Sequence, residues 1–394
     1  MRVLVVNAGS SSLKLSVLDH EDVLVCSEEL DAPGGRVDEA AVKKAVSESG
    51  PVDAVGHRVV HGGAEFTAPV LVDDQVIRRL ELLTDLAPLH QPKSLRALNV
   101  VSGILADVPA VACFDTAFHS TIPAAATTYA LPLQWRQRWD LRRFGFHGLS
   151  HSYASRRVSE LARAGDVVGA ARLTGQALSA GARGGTDPSS GPDPPLRVVT
   201  CHLGAGASLA AVEGGVSVDT TMGFTPLEGL VMATRSGSVD PGLLLWLEEH
   251  VGMPPSELAS TLEHRSGLLG LTGTADMRAV LSAEAAGDAR AALAMGVYLH
   301  RLRAAIASMA ASMGGLDAVV YTGGVGERSA PVRWRAAEGL SFLGLVLDRA
   351  ANERATADQE ITARGARTRS FVIEAREDLE IARGVRQVLG GLAD

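Results

Sequence analysis

The chain has 394 residues, of which 46% are hydrophobic and 21% are charged, as in an ordinary folded protein. At about 100–200 residues per domain, this length predicts two or three domains. The formal net charge of −8 removes the general attraction to phosphate backbones that basic proteins have. Nucleic acids and anionic membranes are therefore not expected partners.

The amino terminus and the cysteines together predict a cytoplasmic protein. The apolar run in MRVLVVNAG is shorter than a signal-peptide core of about 7–15 residues, and no run reaches the ~18 residues needed to span a bilayer. The cysteines Cys26, Cys113 and Cys201 lie far apart, without metal-ligand spacing. They are interpreted as small buried residues in a reducing compartment.

The first half of the chain opens with a strand hairpin. RVLVV is typical of a buried strand, NAGSSS of a turn, and LKLSVLD alternates with the period of a half-buried strand. A strand in VDAVGHRVVHGG, helices in DDQVIRRLELLTDL and PKSLRALNVVSGILAD, and a strand in VPAVACFDTAF follow. SHSYASRRVSELARAG then has helical spacing.

The second half repeats the opening pattern after a change in composition. Residues 165–195 are rich in Gly, Ala, Ser and Pro and are interpreted as a flexible surface insertion. LRVVTCHLGAGASLAAVEGGVSVDTT again reads strand, glycine turn, strand, which indicates an internal duplication. Helices fill residues 241–313, DAVVYTGGVGERS is a third strand with a glycine turn, and EDLEIARGVRQVLGG is an amphipathic helix. The alternation predicts an α/β protein.

Three glycine-rich turns that each leave a strand are typical of a nucleotide site, because backbone without Cβ atoms can approach phosphate oxygens. A single such turn is more often only a tight hairpin. None matches G-x-x-x-x-G-K-[ST], and none is G-x-G-x-x-G between a strand and a helix. P-loop and Rossmann sites are therefore not predicted.

Two histidine pairs, His57/His61 and His147/His151, have the i, i+4 spacing of some zinc sites, but neither predicts zinc. The first pair lies in a strand, where four residues span about 13 Å, too far to share one ion. The second pair lacks the H-E-x-x-H pattern. Arg58 and Arg235 lie in apolar stretches and need anionic partners. Either an anionic substrate or the carboxylate of a structural salt bridge would supply one. Asp115 follows a strand, where it would contact a ligand or cap a helix.

The chain resembles the acetate kinase family in long segments from end to end. These segments, in the family's order, are VVNAGSSSLKLSV, GHRVVHGG, PLHQPKSL, CFDTAFHSTIP, RRFGFHGLSH, CHLGAGASLAAV, SVDTTMGFTPLEGLVMATRSGSVDPG, TADMR, YTGGVGERS and EDLEIAR. The resemblance implies the two-lobed actin-like ATPase fold of the sugar kinase, actin and heat-shock chaperone superfamily, with duplicated ribonuclease H-like domains and nucleotide in the cleft between them. By resemblance, residues 1–118 plus 377–394 form the first lobe, residues 119–376 form the second, and the protein is a homodimer.

The resemblance also implies a role for each matching residue. Arg58 and Arg235 grip the carboxylate and the transferring phosphoryl group, Asp115 orients or deprotonates the acid, and His147 donates to the transition state. The methyl pocket would consist of Val60, Leu89, Phe146 and Pro226, and Mg²⁺ (or Mn²⁺) would lie at Asn7 and Glu377. ATP or ADP would contact Lys14, His202, Gly204, Ala205, Gly206, Asp276, Met277, Arg278, Gly324, Val325, Gly326, Glu327 and Arg328.

The expected reaction is reversible, in-line transfer of the ATP γ-phosphoryl to acetate, giving acetyl phosphate and ADP. Alternatives are the same reaction on propionate or another short-chain acid, a donor such as pyrophosphate, and a non-catalytic nucleotide or acyl-phosphate binder. The sequence departs from the family's usual pattern at four positions. Ala205 replaces an asparagine, Arg328 replaces another asparagine, and Gln91 and Lys93 replace Asn and Pro.

Overall fold

The computed structural model describes residues 1–9, 12–32, 38–87, 91–177 and 195–391, with 164–177 described by their helical backbone. It contains two six-stranded mixed sheets surrounded by helices. Among the described residues, no helix combines the length and the apolar character that crossing a membrane requires.

The first sheet has the strand order β3-β2-β1-β4-β6-β5. β1 and β2 form the expected antiparallel hairpin, in which Asn7 pairs with Lys14. β4 runs parallel to β1, and β6 runs parallel to β4. The strands are β1 (Val3–Ala8), β2 (Ser12–Leu18), β3 (Leu24–Asp31), β4 (Ala54–Val59), β5 (Val70–Leu71) and β6 (Ala110–Phe114).

The second sheet repeats this order, since β9-β8-β7-β10-β12-β11 corresponds strand for strand to β3-β2-β1-β4-β6-β5. The strands are β7 (Arg197–Leu203), β8 (Ala207–Glu213), β9 (Val216–Thr220), β10 (Ala318–Thr322), β11 (Gln359–Glu360) and β12 (Arg369–Val372). Again the first two strands are an antiparallel hairpin and the central strands are parallel. The predicted internal duplication is therefore confirmed at the level of topology.

Helices connect and cover the sheets. Six of the described helices begin at an aspartate whose carboxylate accepts hydrogen bonds from backbone N–H groups of the first turn. The helices are α1 (Glu39–Glu48), α2 (Asp74–Leu82), α3 (Gln91–Ile104), α4 (Ala124–Thr127), α5 (Leu133–Trp139), α6 (Gly148–Ala177), α7 (Pro241–Val251), α8 (Pro255–His264), α9 (Gly267–Thr272), α10 (Met277–Ala285), α11 (Ala289–Ser312), α12 (Gly323–Arg328), α13 (Ala330–Glu338), α14 (Arg349–Arg354) and α15 (Glu377–Gly390).

The two faces of the first sheet pack against different helices, because successive side chains of a strand point to opposite faces. Leu4 and Val6 of β1 belong to the cluster that includes α1 and α3. Val3 and Val5 pack instead with Ile381, Ala382 and Val385 of α15. The carboxy-terminal helix thus completes the core of the first sheet.

A glycine in β4 makes this packing possible. A Cβ atom at Gly56 would lie 2.5 Å from Cγ2 of Ile381 and 2.8 Å from Cγ2 of Val385. The backbones of β4 and α15 therefore approach more closely than any larger residue at position 56 would allow. This approach brings the first residue of α15, Glu377, beside the end of β1.

Two predictions need correction. Helix α6 continues to Ala177, well beyond the expected change at Gly165, because alanine, leucine and arginine in this stretch sustain a helix. Residues 178–194, the rest of the predicted insertion, lie outside the described residues. Cys113 and Cys201 are buried as predicted, but the prediction is wrong for Cys26, which lies exposed on the edge strand β3.

Candidate active site

A small cavity lies where the carboxyl ends of β4 and β6 approach the second half of the chain. Its volume is about 130 Å³, and all four predicted catalytic residues and three of the predicted methyl-pocket residues line it. The lining residues are Ala8, Gly9, Arg58, Val60, Lys93, Asp115, Phe146, His147, Gly206, Pro226 and Arg235. The structure therefore brings together residues that are up to 227 positions apart in sequence (8 to 235).

Arg58 is held in a fixed orientation at the end of β4. Its Nε donates to Oδ1 of Asp115 at 3.0 Å, its Nη2 donates to Oδ2 of the same carboxylate at 2.6 Å, and its Nη1 donates to Oδ1 of Asn7 at 3.1 Å. A bidentate guanidinium–carboxylate pair fixes both groups in one plane. Asp115 therefore positions Arg58, in addition to lining the cavity itself.

Two carboxylates share the charge of Arg58, and their pKa values shift in opposite directions. Burial raises the pKa of Asp115, although the Arg58 guanidinium opposes the shift. Burial also tends to raise the pKa of Glu377, but the charges of Arg58 and His202 and the Asn7 hydrogen bond outweigh it and hold that pKa below its usual value. Glu377 Oε2 lies 3.9 Å from Nε of Arg58 and accepts from Nδ2 of Asn7 at 2.7 Å. The charged form of Glu377 is thus stabilised in the folded protein.

Arg235 approaches the cavity from the second half of the chain. Its Nε lies 2.9 Å from Oε1 of Glu263, and its Nη1 donates to the carbonyl oxygen of Pro226 at 3.2 Å. Burial lowers the pKa of Arg235, while the Glu263 carboxylate opposes the shift. Glu263, near the end of α8, was not identified from the sequence because it lies in an ordinary amphipathic pattern.

His147 precedes α6 in the left-handed backbone region, with φ of 55°. Its Nδ1 lies 2.9 Å from Oγ of Ser208, and its ring stacks on His202 at a centroid distance of 4.3 Å. Burial, reinforced by the nearby charges of His202 and Arg58, lowers the pKa of His147 well below its usual value. The imidazole is therefore neutral near pH 7.

Ser208 also contacts a second histidine. Its hydroxyl lies 2.8 Å from Nε2 of His151, whose Nδ1 lies 2.8 Å from Oγ1 of Thr200. A hydroxyl has one proton and two lone pairs, so Ser208 can accept from His151 and donate to Nδ1 of His147. In that arrangement Nε2 of His147 carries the proton. The hydroxyl of Ser208 thus contacts both histidine rings.

A cavity of about 550 Å³ is bounded by the second and third glycine turns. Small and apolar residues make up most of its wall, and Asp276 and Arg278 stand at one border, paired with each other at 2.8 Å. It is lined by Gly204, Ala205, Ala233, Leu268, Ala275, Asp276, Met277, Arg278, Leu281, Tyr298, Gly324, Val325, Arg328, Ser329 and Pro331. Arg328 therefore stands at the wall of this cavity.

Another cavity, of about 320 Å³, contains the predicted metal-binding pair. It is lined by Val5, Asn7, Lys14, Ser16, His202, Gly323, Gly324, Glu327, Arg328, Glu374, Ala375, Glu377 and Asp378. Gly324 and Arg328 border both larger cavities, so the two spaces adjoin at the start of α12. The predicted nucleotide contacts other than Gly206 and Gly326 thus line one or both of these cavities, and Gly206 lines the cavity of about 130 Å³.

Gly326, another predicted nucleotide contact, does not line these cavities. Gly326 is buried in α12, its carbonyl oxygen accepts from Nη1 of Arg333 at 2.9 Å, and a Cβ there would lie 3.3 Å from the carbonyl carbon of Tyr321. Its role in the structure is close packing of α12 on β10. Leu89, predicted for the methyl pocket, lies outside the described residues.

Comparison with known proteins identifies the family. The acetokinase family model matches residues 31–168 and 190–383. The chain is 40% identical to an acetate kinase of Microcystis aeruginosa, over 97% of this chain and 98% of that protein. It is also 40% identical to a propionate kinase of Citrobacter rodentium, over 98% and 96% of the two chains. The crystal structure of Porphyromonas gingivalis acetate kinase superposes with a TM-score of 0.81 at 32% identity, covering 98% of this chain and 99% of that one. The chain belongs to the acetokinase family and has its actin-like ATPase fold.

Proposed function

We propose that the protein is an acetate kinase, which transfers the γ-phosphoryl group of ATP reversibly to acetate and forms acetyl phosphate and ADP. The observation that carries the proposal is the convergence of Arg58, Asp115, His147 and Arg235 on one cavity of about 130 Å³. Val60, Phe146 and Pro226 supply an apolar wall in the same cavity. A small carboxylate needs both features, cations for its charged end and an apolar surface for its methyl group.

Charge stabilisation is the main task at such a site. The transferring phosphoryl group spreads negative charge over three equatorial oxygens, and a single arginine is worth about 10³-fold or more in rate. Arg58 and Arg235 supply two guanidinium groups from opposite halves of the chain. They also screen the repulsion between an anionic acetate and the γ-phosphoryl group. Acetate is already ionised near neutral pH, so Asp115 acts chiefly by fixing Arg58.

His147 contributes as a neutral donor. Because burial keeps its pKa low, the ring adds no charge, and the Ser208 contact at Nδ1 is compatible with a proton on Nε2. A Cβ built at Gly206 would lie 3.1 Å from that Nε2 and 3.4 Å from Nη1 of Arg235. The space beside Gly206 is therefore where an equatorial oxygen would meet both groups.

A divalent cation fits the residues around Glu377. Mg²⁺ in kinases is held by one or two carboxylates together with substrate phosphates, rather than by a complete protein cage. The ionised Glu377 and Asn7 lie together beside Lys14 in the cavity of about 320 Å³, with the Asn7 amide nitrogen towards Glu377 and its oxygen towards Arg58. When bound there, the ion would neutralise charge on the donor phosphates.

The donor is proposed to be ATP, since the open cavity of about 550 Å³ has the apolar wall that an adenosine requires. A pyrophosphate donor would leave that cavity without a role. Assays with ATP, with GTP and with pyrophosphate distinguish the donors, and turnover with pyrophosphate alone would contradict the proposal.

The activity itself is tested by trapping acetyl phosphate as the hydroxamate. Wild-type protein with acetate, ATP and Mg²⁺ is expected to form acyl phosphate. The kcat/KM of Arg235→Ala is expected to be at least about 10³-fold lower than that of the wild type. Arg301→Ala, at an exposed arginine of α11, is the matched control and keeps wild-type activity. Equal activity in the wild type and in Arg235→Ala would reject the proposed site. Binding of ATP without any acyl phosphate would identify a non-catalytic binder instead.

Propionate is a second candidate acid, because one relative is a propionate kinase and the apolar wall accepts either chain. One methylene in such a pocket changes the free energy of the transition state by only about 1–3 kcal/mol. Comparing kcat/KM for acetate, propionate and butyrate measures this preference directly.

A homodimer is also part of the proposal. No residue of α7 is buried, although it presents Leu243, Leu245, Trp246 and Val251 on the surface. An apolar helix of this kind is expected to be covered by a second copy. Sedimentation of the wild type and of Trp246→Glu tests this, with a monomeric wild type as the contradicting result. The lobe boundaries (1–118 plus 377–394, and 119–376) and the cytoplasmic location remain predictions.

A further inference from the structure

The first turn of α3 places a lysine at the reaction cavity. Lys93 is half-buried and lines the same cavity of about 130 Å³ as Arg58, Asp115 and Arg235. The chain uses only four lysines, Lys14, Lys43, Lys44 and Lys93. Family resemblance assigned Lys93 no role, because the position is usually a proline.

The charges of the lining residues favour an anion at this place. Three of the lining side chains, Arg58, Lys93 and Arg235, are cationic, and one, Asp115, is anionic. Asp115 forms a bidentate pair with Arg58, and Glu263 pairs with Arg235. Lys93 therefore adds positive charge to a cavity whose own carboxylate is already paired with an arginine.

The position of Lys93 in its helix also favours an anion in the cavity. The amino-terminal end of a helix carries partial positive charge, which attracts anions. α3 has 14 residues and no acidic residue in its first turn. An anion in the cavity would interact favourably with both the ammonium group and the helix end.

We propose that Lys93 is a third cationic contact for the phosphoryl group of acetyl phosphate and so determines the affinity of the enzyme for its acyl phosphate. The inference rests on the proposed acetate kinase activity. A compact ammonium group binds phosphate as a point charge and needs no fixed geometry. The same contact holds the phosphoryl group before and after transfer. It therefore affects KM for acetyl phosphate much more than kcat.

The experiment compares two substitutions at position 93 with a matched lysine elsewhere. Lys93→Met removes the charge and keeps the length of the side chain, and Lys93→Arg keeps the charge. Lys44→Met is the control, since Lys44 lies exposed on α1 and pairs with Glu48 at 3.8 Å. ATP formation from acetyl phosphate and ADP is followed, and acetyl phosphate binding without ADP is measured by calorimetry.

Lys93→Met is expected to raise both KM and Kd for acetyl phosphate about tenfold. This is the loss of affinity expected when a half-exposed hydrogen bond to a charged group is removed. kcat should stay within about twofold, and Lys93→Arg and Lys44→Met should resemble the wild type. An unchanged KM in Lys93→Met would overturn the inference, and so would a Lys93→Arg variant as impaired as Lys93→Met. Binding of malonate, a small dicarboxylate, is measured by calorimetry in the same way. If Lys93→Met weakened only malonate binding, Lys93 would bind a second carboxylate and the inference would likewise be wrong.

Failure of the proposed activity gives a different pattern. A wild type that forms no ATP from acetyl phosphate would reject the acetate kinase assignment. Calorimetry with acetyl phosphate would still decide whether Lys93 binds the phosphoryl group.

Discussion

Replacing His57 should make the protein less sensitive to acid. His57 lies on β4 with 1% of its surface exposed, and neither ring nitrogen has a hydrogen-bond partner among the described residues. Burial lowers its pKa from 6.5 to about 3. The unfolded chain therefore takes up a proton below pH 6.5, whereas the folded chain does not until about pH 3. The free energy of unfolding consequently falls as the pH falls below 6.5.

The size of the effect follows from these two pKa values. Between pH 7.5 and pH 5.5 the unfolded state gains nearly one proton at His57, which lowers the free energy of unfolding by about 1.4 kcal/mol. His61 and His119, whose pKa values burial lowers to about 4, contribute a similar amount each. Together the three histidines account for a loss of about 4 kcal/mol, a large part of the stability of a typical domain.

Urea unfolding of the wild type and of His57→Leu, each at pH 7.5 and pH 5.5, measures this contribution. Leucine fills the site with an apolar side chain of similar size and does not titrate. The free energy of unfolding of the variant should therefore fall by about 1.4 kcal/mol less than that of the wild type over the same change in pH. His20→Gln is the control, because the His20 side chain is 73% exposed, and it should lose as much as the wild type. An identical pH dependence in His57→Leu and the wild type would refute the reasoning.

Three further predictions concern the second glycine turn and the start of β8, which follows it. Gly206→Ala should lower kcat at least tenfold, because its Cβ would lie 3.1 Å from Nε2 of His147, whereas Gly296→Ala, with nothing within 4 Å, should be neutral in the hydroxamate assay. Equal rates in both variants would place the phosphoryl group elsewhere. Ser208→Ala should lower kcat about fivefold with little change in KM, since it removes one neutral hydrogen bond to His147, and Ser208→Thr should retain activity. A loss confined to KM would contradict that role. Ala205→Asn should raise kcat, by up to about 10² if the added amide donates only in the transition state. Unchanged kcat would exclude that donor position.

The fold was largely predictable because its local signals agree with one another. The repeated strand–glycine–strand pattern indicated the duplication, and the alternation of Val3, Leu4, Val5 and Val6 matches a sheet covered on both faces. Segments such as CFDTAFHSTIP identified the family, and the family model and relatives confirm it. The grouping of Arg58, Asp115, His147 and Arg235 around one cavity agrees with the predicted site, whose roles remain predictions.

What the sequence did not reveal are the partners that hold those residues. Glu263 lies 28 positions after Arg235, at the end of a separate helix, and nothing in a helical pattern distinguishes it from a solvent-facing acid. The contact between Ser208 and His147 depends on how β8 meets the start of α6, which is a tertiary property. The exposure of Cys26 similarly depends on β3 being an edge strand.

The packing of α15 on the first sheet joins two segments that are synthesised far apart in time. Val3 and Val5 are made well before Ile381 and Val385, which cover them. A nascent chain therefore carries an uncovered apolar sheet face until α15 has been translated. Premature termination before residue 377 removes Glu377 together with that cover, and the shortened product is a substrate for chaperones and proteases rather than a slow enzyme.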